Sequence, residues 1–217
     1  MTTYAPDGSP VEAFAVLPPG PAPALLDAVL PPSATVLDLG GGAGRIAHAL
    51  TAKGHRVTVV DPCQPMLDHV DPSLERHLAD IEELDLGRSF DAVLLASFLV
   101  NTPHEHQRSE FLGTCRRHIT AGQGAVYVQR LDPELVPLAV DAESEDQGVT
   151  YAMADVRHDG PRFAATMSFR REQEAWEHRY EGVVLDDDEL AAALEPHGLR
   201  ITRYLDDQRT WVEIRTA

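Results

Sequence analysis

The feature that most constrains this chain is the run Thr35-Val36-Leu37-Asp38-Leu39-Gly40-Gly41-Gly42-Ala43-Gly44-Arg45-Ile46-Ala47. It opens as a short apolar stretch with β-branched residues, which reads as a buried strand. It breaks on four glycines within five residues, then resumes with Ile46, Ala47, Leu50 and, more weakly, Ala43 on one helical face. A strand, a glycine turn and a helix in that order build the nucleotide pocket of a doubly wound sheet. Glycine lets the backbone turn tightly and lets a ligand approach the main chain. The free N–H groups at the helix start favour an anionic group. A glycine turn without any ligand is the plain alternative.

The pattern continues along the chain. Residues 1–23 carry six prolines and predict an extended arm with a short turn around Val11 to Leu17, where Tyr4 and Phe14 either close over a pocket or cover the sheet. Ala24 to Leu30 predicts a short helix stopped by Pro31-Pro32. Strands are predicted at Thr35–Leu39, Arg56–Val60, Glu75–Ala79, Phe90–Ala96 and Ala125–Arg130, with helices at Arg45–Lys53, after Pro62, and at His104 to Ile119. Strands separated by helices argue a parallel sheet with right-handed crossovers. After residue 148 the period changes. Val149–Arg157, Phe163–Arg170 and Glu174–Leu185 are too close together for helical crossovers and predict antiparallel strands. Residues 131–148 read as a loop or short helix. Asp186–His197 predicts a helix with acids at its positive end and Gly198 beyond its far end, and Arg200–Leu205 with Thr210–Thr216 a closing hairpin.

Composition narrows the partners. A chain of 217 residues with 43% hydrophobic residues has enough apolar material for one domain with a full core. A formal net charge of −17 repels phosphate backbones and anionic lipid. The expectation is a small-molecule substrate, with neither nucleic acid nor membrane as partner. The two cysteines, Cys63 and Cys115, have no metal-type spacing, so no metal is expected. Neither a basic segment followed by an apolar run at the N-terminus nor a stretch of 18 apolar residues occurs, and the expected location is cytoplasmic.

Two readings of the glycines stand side by side. Gly42-Ala43-Gly44-Arg45-Ile46-Ala47 fits the dinucleotide fingerprint G-x-G-x-x-G/A, which points to an NAD(P)-dependent enzyme. Asp38-x-Gly40-x-Gly42-x-Gly44 is a longer match to another pattern and resembles motif I of the class I S-adenosylmethionine-dependent methyltransferases. An acid two positions before the first glycine suits a ligand with a cationic amino acid end and sits badly beside a pyrophosphate. Asp61, directly after Val57-Thr58-Val59-Val60, can accept hydrogen bonds from both ribose hydroxyls; a lone Asp there is otherwise a turn or helix cap.

The resemblance covers residues 35–130 and, more loosely, 186–216. It implies a Rossmann-like, doubly wound α/β fold: a mostly parallel seven-stranded sheet, an antiparallel β insert before the last helix, and a C-terminal β-hairpin. As a single domain it divides into an arm and helix (1–34), a cofactor-binding core (35–130), an insert over the substrate (131–185) and a closing helix and hairpin (186–217). By resemblance Asp38, Gly40 and Gly42 hold the methionine end of S-adenosylmethionine, Asp61 the ribose, and Pro62 and Met66 lie near the adenine. Asp80 then meets the adenine amino group and Ile81 packs on the ring. Phe90 to Ser97 looks like the motif IV strand, and the residues at its end, Ala96 to Leu99, with Ala96 and Ser97 as cofactor contacts, would pass under the sulfonium. Ser97-Phe98-Leu99-Val100-Asn101 departs from the Asn/Asp-Pro-Pro-Tyr ending of nucleic-acid and protein N-methyltransferases, which suits a small acceptor.

Methyl transfer asks the protein to align a nucleophile, exclude water and sometimes take a proton. Candidate bases are His104 and His106 past the motif IV strand, whose plain reading is capping and exposure, and His178 in the insert. Trp176, His178 and Tyr180 share one strand face by period two; that face either roofs a substrate or packs. Asn101 and Arg130, near strand ends, are further substrate candidates. The expected reaction is methyl transfer to an N or O atom of a small metabolite. A methyltransferase-like protein that only binds the cofactor, or catalyses cyclisation or isomerisation, is the alternative. A homodimer is expected to be possible through an exposed edge of the insert.

Overall fold

The computed structural model describes residues 2–136 and 139–217. Its frame is a seven-stranded sheet in the order β10-β11-β5-β4-β1-β2-β3. The strands are β1 (Thr35–Leu39), β2 (Arg56–Asp61), β3 (Glu75–Leu78), β4 (Ala92–Leu95) and β5 (Ala125–Gln129), all parallel, with the antiparallel pair β10 (Leu199–Tyr204) and β11 (Trp211–Thr216) at one edge. Helices α2 (Ala22–Asp27) and α3 (Arg45–Ala52) cover one face, while α5 (Glu105–His118) and α6 (Asp187–Leu194) cover the other. A strand buried on both faces must be apolar nearly throughout, and β4 is: all four residues of Ala92-Val93-Leu94-Leu95 are 0% exposed.

Alternation divides β1 between the two cores. Leu37 and Leu39 join the α5 side, and Val36 the α3 side. Asp38 therefore falls on the α3 face at the carboxyl end of the strand. The order β4-β1-β2 puts the ends of β1 and β4 side by side, at the point where the strand order reverses and a ligand crevice is expected.

The insert is a separate four-stranded antiparallel sheet in the order β6-β7-β8-β9. Strands β7 (Val149–Asp159), β8 (Arg162–Arg171) and β9 (Glu174–Val183) match expectation. The fourth, β6 (Ala142–Asp146), corrects the loop reading of 131–148, of which residues 137 and 138 lie outside the described residues. β6 is fully exposed and pairs only with β7, so backbone bonds rather than an apolar face hold it. Its Glu143, Glu145 and Asp146 place negative charge on the free edge, which opposes the strand-to-strand pairing that a dimer there requires.

The proline-rich arm folds into a short helix, α1 (Val11–Val16), rather than an extended segment with a turn. Val11 packs with Ala43, Cys63 and Met66, while Ala13 packs with Phe169 and Trp176, so α1 links the glycine loop to the insert. At α6 the side chains of Asp186 and Glu189 each accept from the other's backbone N–H at 2.8–2.9 Å, a capping box. No helix among the described residues is long and apolar enough to cross a membrane.

Candidate active site

The glycine loop joins β1 to α3. Gly40, Gly42 and Gly44 have φ of 64°, 56° and 79°, the left-handed region that costs other residues about 1–2 kcal/mol each. Gly41 is required for a different reason: a Cβ there would stand 2.8 Å from Val59 Cγ1 and 2.9 Å from Asp38 Oδ2. The loop is bound to β2 by the Gly41 N–H, which donates to Val60 O at 3.0 Å.

Two carboxylates flank this loop. Asp61 accepts from the Gly42 N–H at 2.8 Å through Oδ2 and from the Cys63 N–H at 2.8 Å through Oδ1. Each oxygen keeps a second lone pair, so a diol can still be held. Burial raises the Asp61 pKa, and the two N–H bonds pull it back. Asp38 is 2% exposed, and its Oδ2 has no hydrogen-bond partner among the described residues. Burial first, then the Asp61 charge, push its carboxyl up to about 7, against the pull of Arg45. A buried carboxylate with an unused lone pair beside a second acid calls for a cation.

The residues present fit S-adenosylmethionine on that observation. The orphaned Asp38 oxygen suits the ammonium of the methionine end, and the free lone pairs of Asp61 suit ribose hydroxyls. Met66 is buried, with its sulfur 3.8 Å from where a Gly42 Cβ would stand, next to the turn that Pro62 opens. Ile81 is buried, and its side chain approaches Gly40 together with that of Leu99. Asp80, its neighbour, is exposed.

Beyond β4 the chain turns back through two consecutive non-glycine residues in the left-handed region, Ser97 at φ 53° and Phe98 at φ 62°. Ala96 is buried there, and the Ser97 N–H donates to Gln129 Oε1 at 3.0 Å. Strain of this kind persists only where surrounding contacts enforce it. Here they are that hydrogen bond and the edge-on contact of Phe98 with Tyr180, ring centroids 6.5 Å apart.

The insert packs on α1 through residues of β7, β8 and β9. Trp176, His178 and Tyr180 do share one face of β9, with Glu177, Arg179 and Glu181 exposed on the other. Trp176 is buried against α1, and is packing rather than pocket lining. Phe14 of α1 stands between the insert and the loop: its ring lies 6.0 Å from Phe169, 6.4 Å from His178, and 5.2 Å from the guanidinium of Arg45. Arg45 donates to Pro18 O at 3.0 Å and so ties the arm to the start of α3.

Several candidates are placed elsewhere. Arg130 is 0% exposed and donates to Arg209 O, Leu185 O and Asp187 Oδ1, so it locks α6 and the hairpin to β5 instead of meeting a substrate. Asn101 is also 0% exposed; its Nδ2 donates to Val183 O at 2.7 Å and its Oδ1 accepts from the Leu131 N–H at 2.8 Å. His104 stands at the start of α5 without capping it, and the His106 side chain is 90% exposed. Both line an open surface depression with Glu82, Glu83, Gln107 and Glu110, a set that includes no residue of the glycine loop or of β9. Gln129 and Arg45 were not singled out as site residues by the sequence. The position of Gln129 at the carboxyl end of a central strand is the signal that would have found it. Among the described residues no group of three or more His, Cys, Asp or Glu is arranged to hold a metal ion.

Comparison with known proteins bears on the two readings of the loop. Residues 36–122 match the model of a methyltransferase domain family. The cypemycin N-terminal methyltransferase of a Streptomyces species is 33% identical over 127 residues, which span 55% of this chain and 49% of that protein. The chain thus spans about half the length of this curated relative. Among solved structures, the CcbJ methyltransferase of Streptomyces caelestis superposes with a TM-score of 0.75 at 22% identity, covering 95% of this chain and 96% of that one. CalS10 of Micromonospora echinaspora, an amino pentose methyltransferase solved with S-adenosylmethionine bound, gives 0.67 at 18% identity, covering 97% and 93%. The domain match runs through the glycine loop, Asp61 and β4, and the whole sheet follows the same fold. Residues 36–122 are thus similar to a methyltransferase domain, and the whole chain has the fold of solved S-adenosylmethionine-dependent methyltransferases.

Proposed function

We propose that this chain transfers the methyl group of S-adenosylmethionine to an amine nitrogen of a small metabolite. The observation that carries the reading is the carboxylate pair: Asp38 with an unpartnered buried oxygen, and Asp61 with its spare lone pairs, on either side of the left-handed glycine loop. When bound, S-adenosylmethionine supplies a sulfonium-activated methyl group. Asp38 would neutralise its ammonium end, Asp61 would orient the ribose, and Ile81 and Met66 would pack on the adenine. Ser97 and Phe98, at the turn after β4, would line the side where the acceptor enters. The insert and α1 shut out water, so that the nucleophile is presented in line with little competition.

Transfer to nitrogen is supported by the 33% identical relative, an N-terminal methyltransferase. A small acceptor is supported by the net charge of −17, which opposes polyanions, and by the packing of α1 against both the glycine loop and the insert. The test is turnover: the protein is incubated with S-adenosylmethionine and a pool of primary amines, and released S-adenosylhomocysteine is quantified by mass spectrometry. Amine-dependent release that Asp61→Asn abolishes is expected. Release that ignores both the amines and Asp61 overturns the proposal.

A further inference from the structure

Two polar atoms on the inner face of the insert are buried and hydrogen-bond to nothing among the described residues: His178 Nδ1 and Tyr180 Oη. Both belong to β9, two residues apart, with ring centroids separated by 6.4 Å. Leaving a hydroxyl or a ring nitrogen buried and unpaired costs about 1–3 kcal/mol each. Such a pair on one wall, in a sheet that otherwise pairs its strands residue by residue, is a site awaiting its partner.

Their surroundings locate that partner. The His178 ring packs edge-on to Phe14, which in turn lies against Arg45, the first residue after the glycine loop. The Tyr180 ring packs edge-on to Phe98, which follows the end of β4. β1 and β4 are neighbours, so the two rings span the crevice above them. The rest of the wall is apolar. Met167 faces His178 and Ala165 faces Tyr180 across the strand pair, and Phe163 lies 6.2 Å from the Tyr180 ring. By the same period Glu174 lies on this face, exposed at the start of β9 and four residues before His178, whereas Glu177 and Glu181 are exposed on the other face. Arg45, a cation, lies across the Phe14 ring from His178, and Gly8, which follows Asp7, lies against His178 Nδ1. The Tyr180 ring itself packs among apolar neighbours, so an ammonium ion entering beside it would shed its water against a hydrophobic wall, whereas a neutral amine keeps two hydrogen-bonding groups there at a smaller cost.

We infer that the acceptor is a neutral amine on an apolar body, held above β1 and β4 by Tyr180 Oη and His178 Nδ1, with His178 taking the proton that the nitrogen releases. The inference rests on the methyl-transfer reading. The nitrogen lone pair forms the new N–C bond as the C–S bond breaks and its electron pair returns to sulfur. The N–H proton passes to His178 Nδ1 and then to solvent, so charge and atoms balance. Tyr180 donates to or accepts from the acceptor and fixes its angle of approach.

The test uses three amines on the full chain at pH 8.5. L-Phenylalaninamide is an apolar α-amine, largely neutral there; phenethylamine has a similar body but remains an ammonium; glucosamine has a polar body. Calorimetric titration into protein saturated with S-adenosylhomocysteine is expected to rank L-phenylalaninamide about tenfold tighter than either other amine. Tyr180→Phe keeps the ring volume and should weaken that binding about fivefold to tenfold. His178→Asn, which keeps a polar atom near the Nδ1 position, should bind the amine within about threefold of the parent yet lower its methylation rate about a hundredfold. Both variants should bind S-adenosylhomocysteine within twofold of the parent. Glucosamine or phenethylamine binding as well as L-phenylalaninamide, no amine binding to the loaded protein, or variants that behave like the parent overturn the inference. If S-adenosylhomocysteine itself fails to bind the parent, the methyl-transfer reading falls first.

Discussion

The buried Asp38 carboxylate makes the unliganded fold less stable than it need be. Its pKa rises from 3.8 to about 7 on folding, chiefly through burial, then through the Asp61 charge. Between those two values the folded chain holds a proton that the unfolded chain has released. Stability therefore falls as pH rises through this window and levels off above about 7. The full window corresponds to about 4 kcal/mol at 1.36 kcal/mol per pH unit. Asp38→Asn cannot ionise and escapes this loss. The difference in unfolding free energy between Asp38→Asn and the parent isolates the effect, because other titrating groups cancel. Urea denaturation at pH 5.5 and at pH 8 should show that difference growing in favour of Asp38→Asn by about 2 kcal/mol. The stabilised variant should at the same time lose cofactor affinity, the trade expected where a binding site stores strain. A difference that stays constant within about 0.5 kcal/mol across this range would refute the assignment of the raised pKa to Asp38.

Further consequences follow from the same contacts. Because the ammonium end must meet an ionised Asp38, S-adenosylhomocysteine affinity should be flat above about pH 7 and drop by up to tenfold per pH unit below it, as calorimetry can show; a pH-independent affinity contradicts this. Gly41→Ala drives a methyl group into Val59 and Asp38, and should lower stability by about 1–3 kcal/mol in urea denaturation and weaken cofactor binding, whereas an unchanged variant would mean that the loop relaxes freely. Arg130→Met strands three acceptors that now bond the guanidinium; a loss of about 3 kcal/mol and a Tm lower by roughly 10 °C are expected, with cofactor affinity of the folded fraction unchanged.

How much of this was legible in the amino-acid order differs by element. The glycine loop was, because glycine meets left-handed φ without strain and only glycine allows the Cβ-free approach at position 41. The alternation of apolar strands and helices through residue 130, and the switch to antiparallel strands after it, were legible because burial on two faces or on one leaves different periods. β6 was not: Ala142-Glu143-Ser144-Glu145-Asp146 buries nothing, and only its neighbour's backbone makes it a strand. Arg130 and Asn101 resembled site residues because they follow strand ends. Their true partners lie 79 and 82 positions away, in the hairpin and at the end of β9, and no local pattern announces such contacts. Phe14 could either close a pocket or cover the sheet; its contacts with Arg45 and Phe169 decide that it bridges the loop and the insert. The corrections share a cause. Local spacing reports the period of burial, whereas a polar group's partner is set by tertiary approach.

The central claim is that two acids at neighbouring strand ends hold the methionine end and the ribose of one ligand. It is tested most directly by titrating S-adenosylhomocysteine into the parent chain and into Asp61→Asn at pH 8. The account predicts one site per chain in the parent, with affinity reduced by about tenfold or more in Asp61→Asn. No heat in the parent at millimolar ligand, or equal affinity in both proteins, would contradict it.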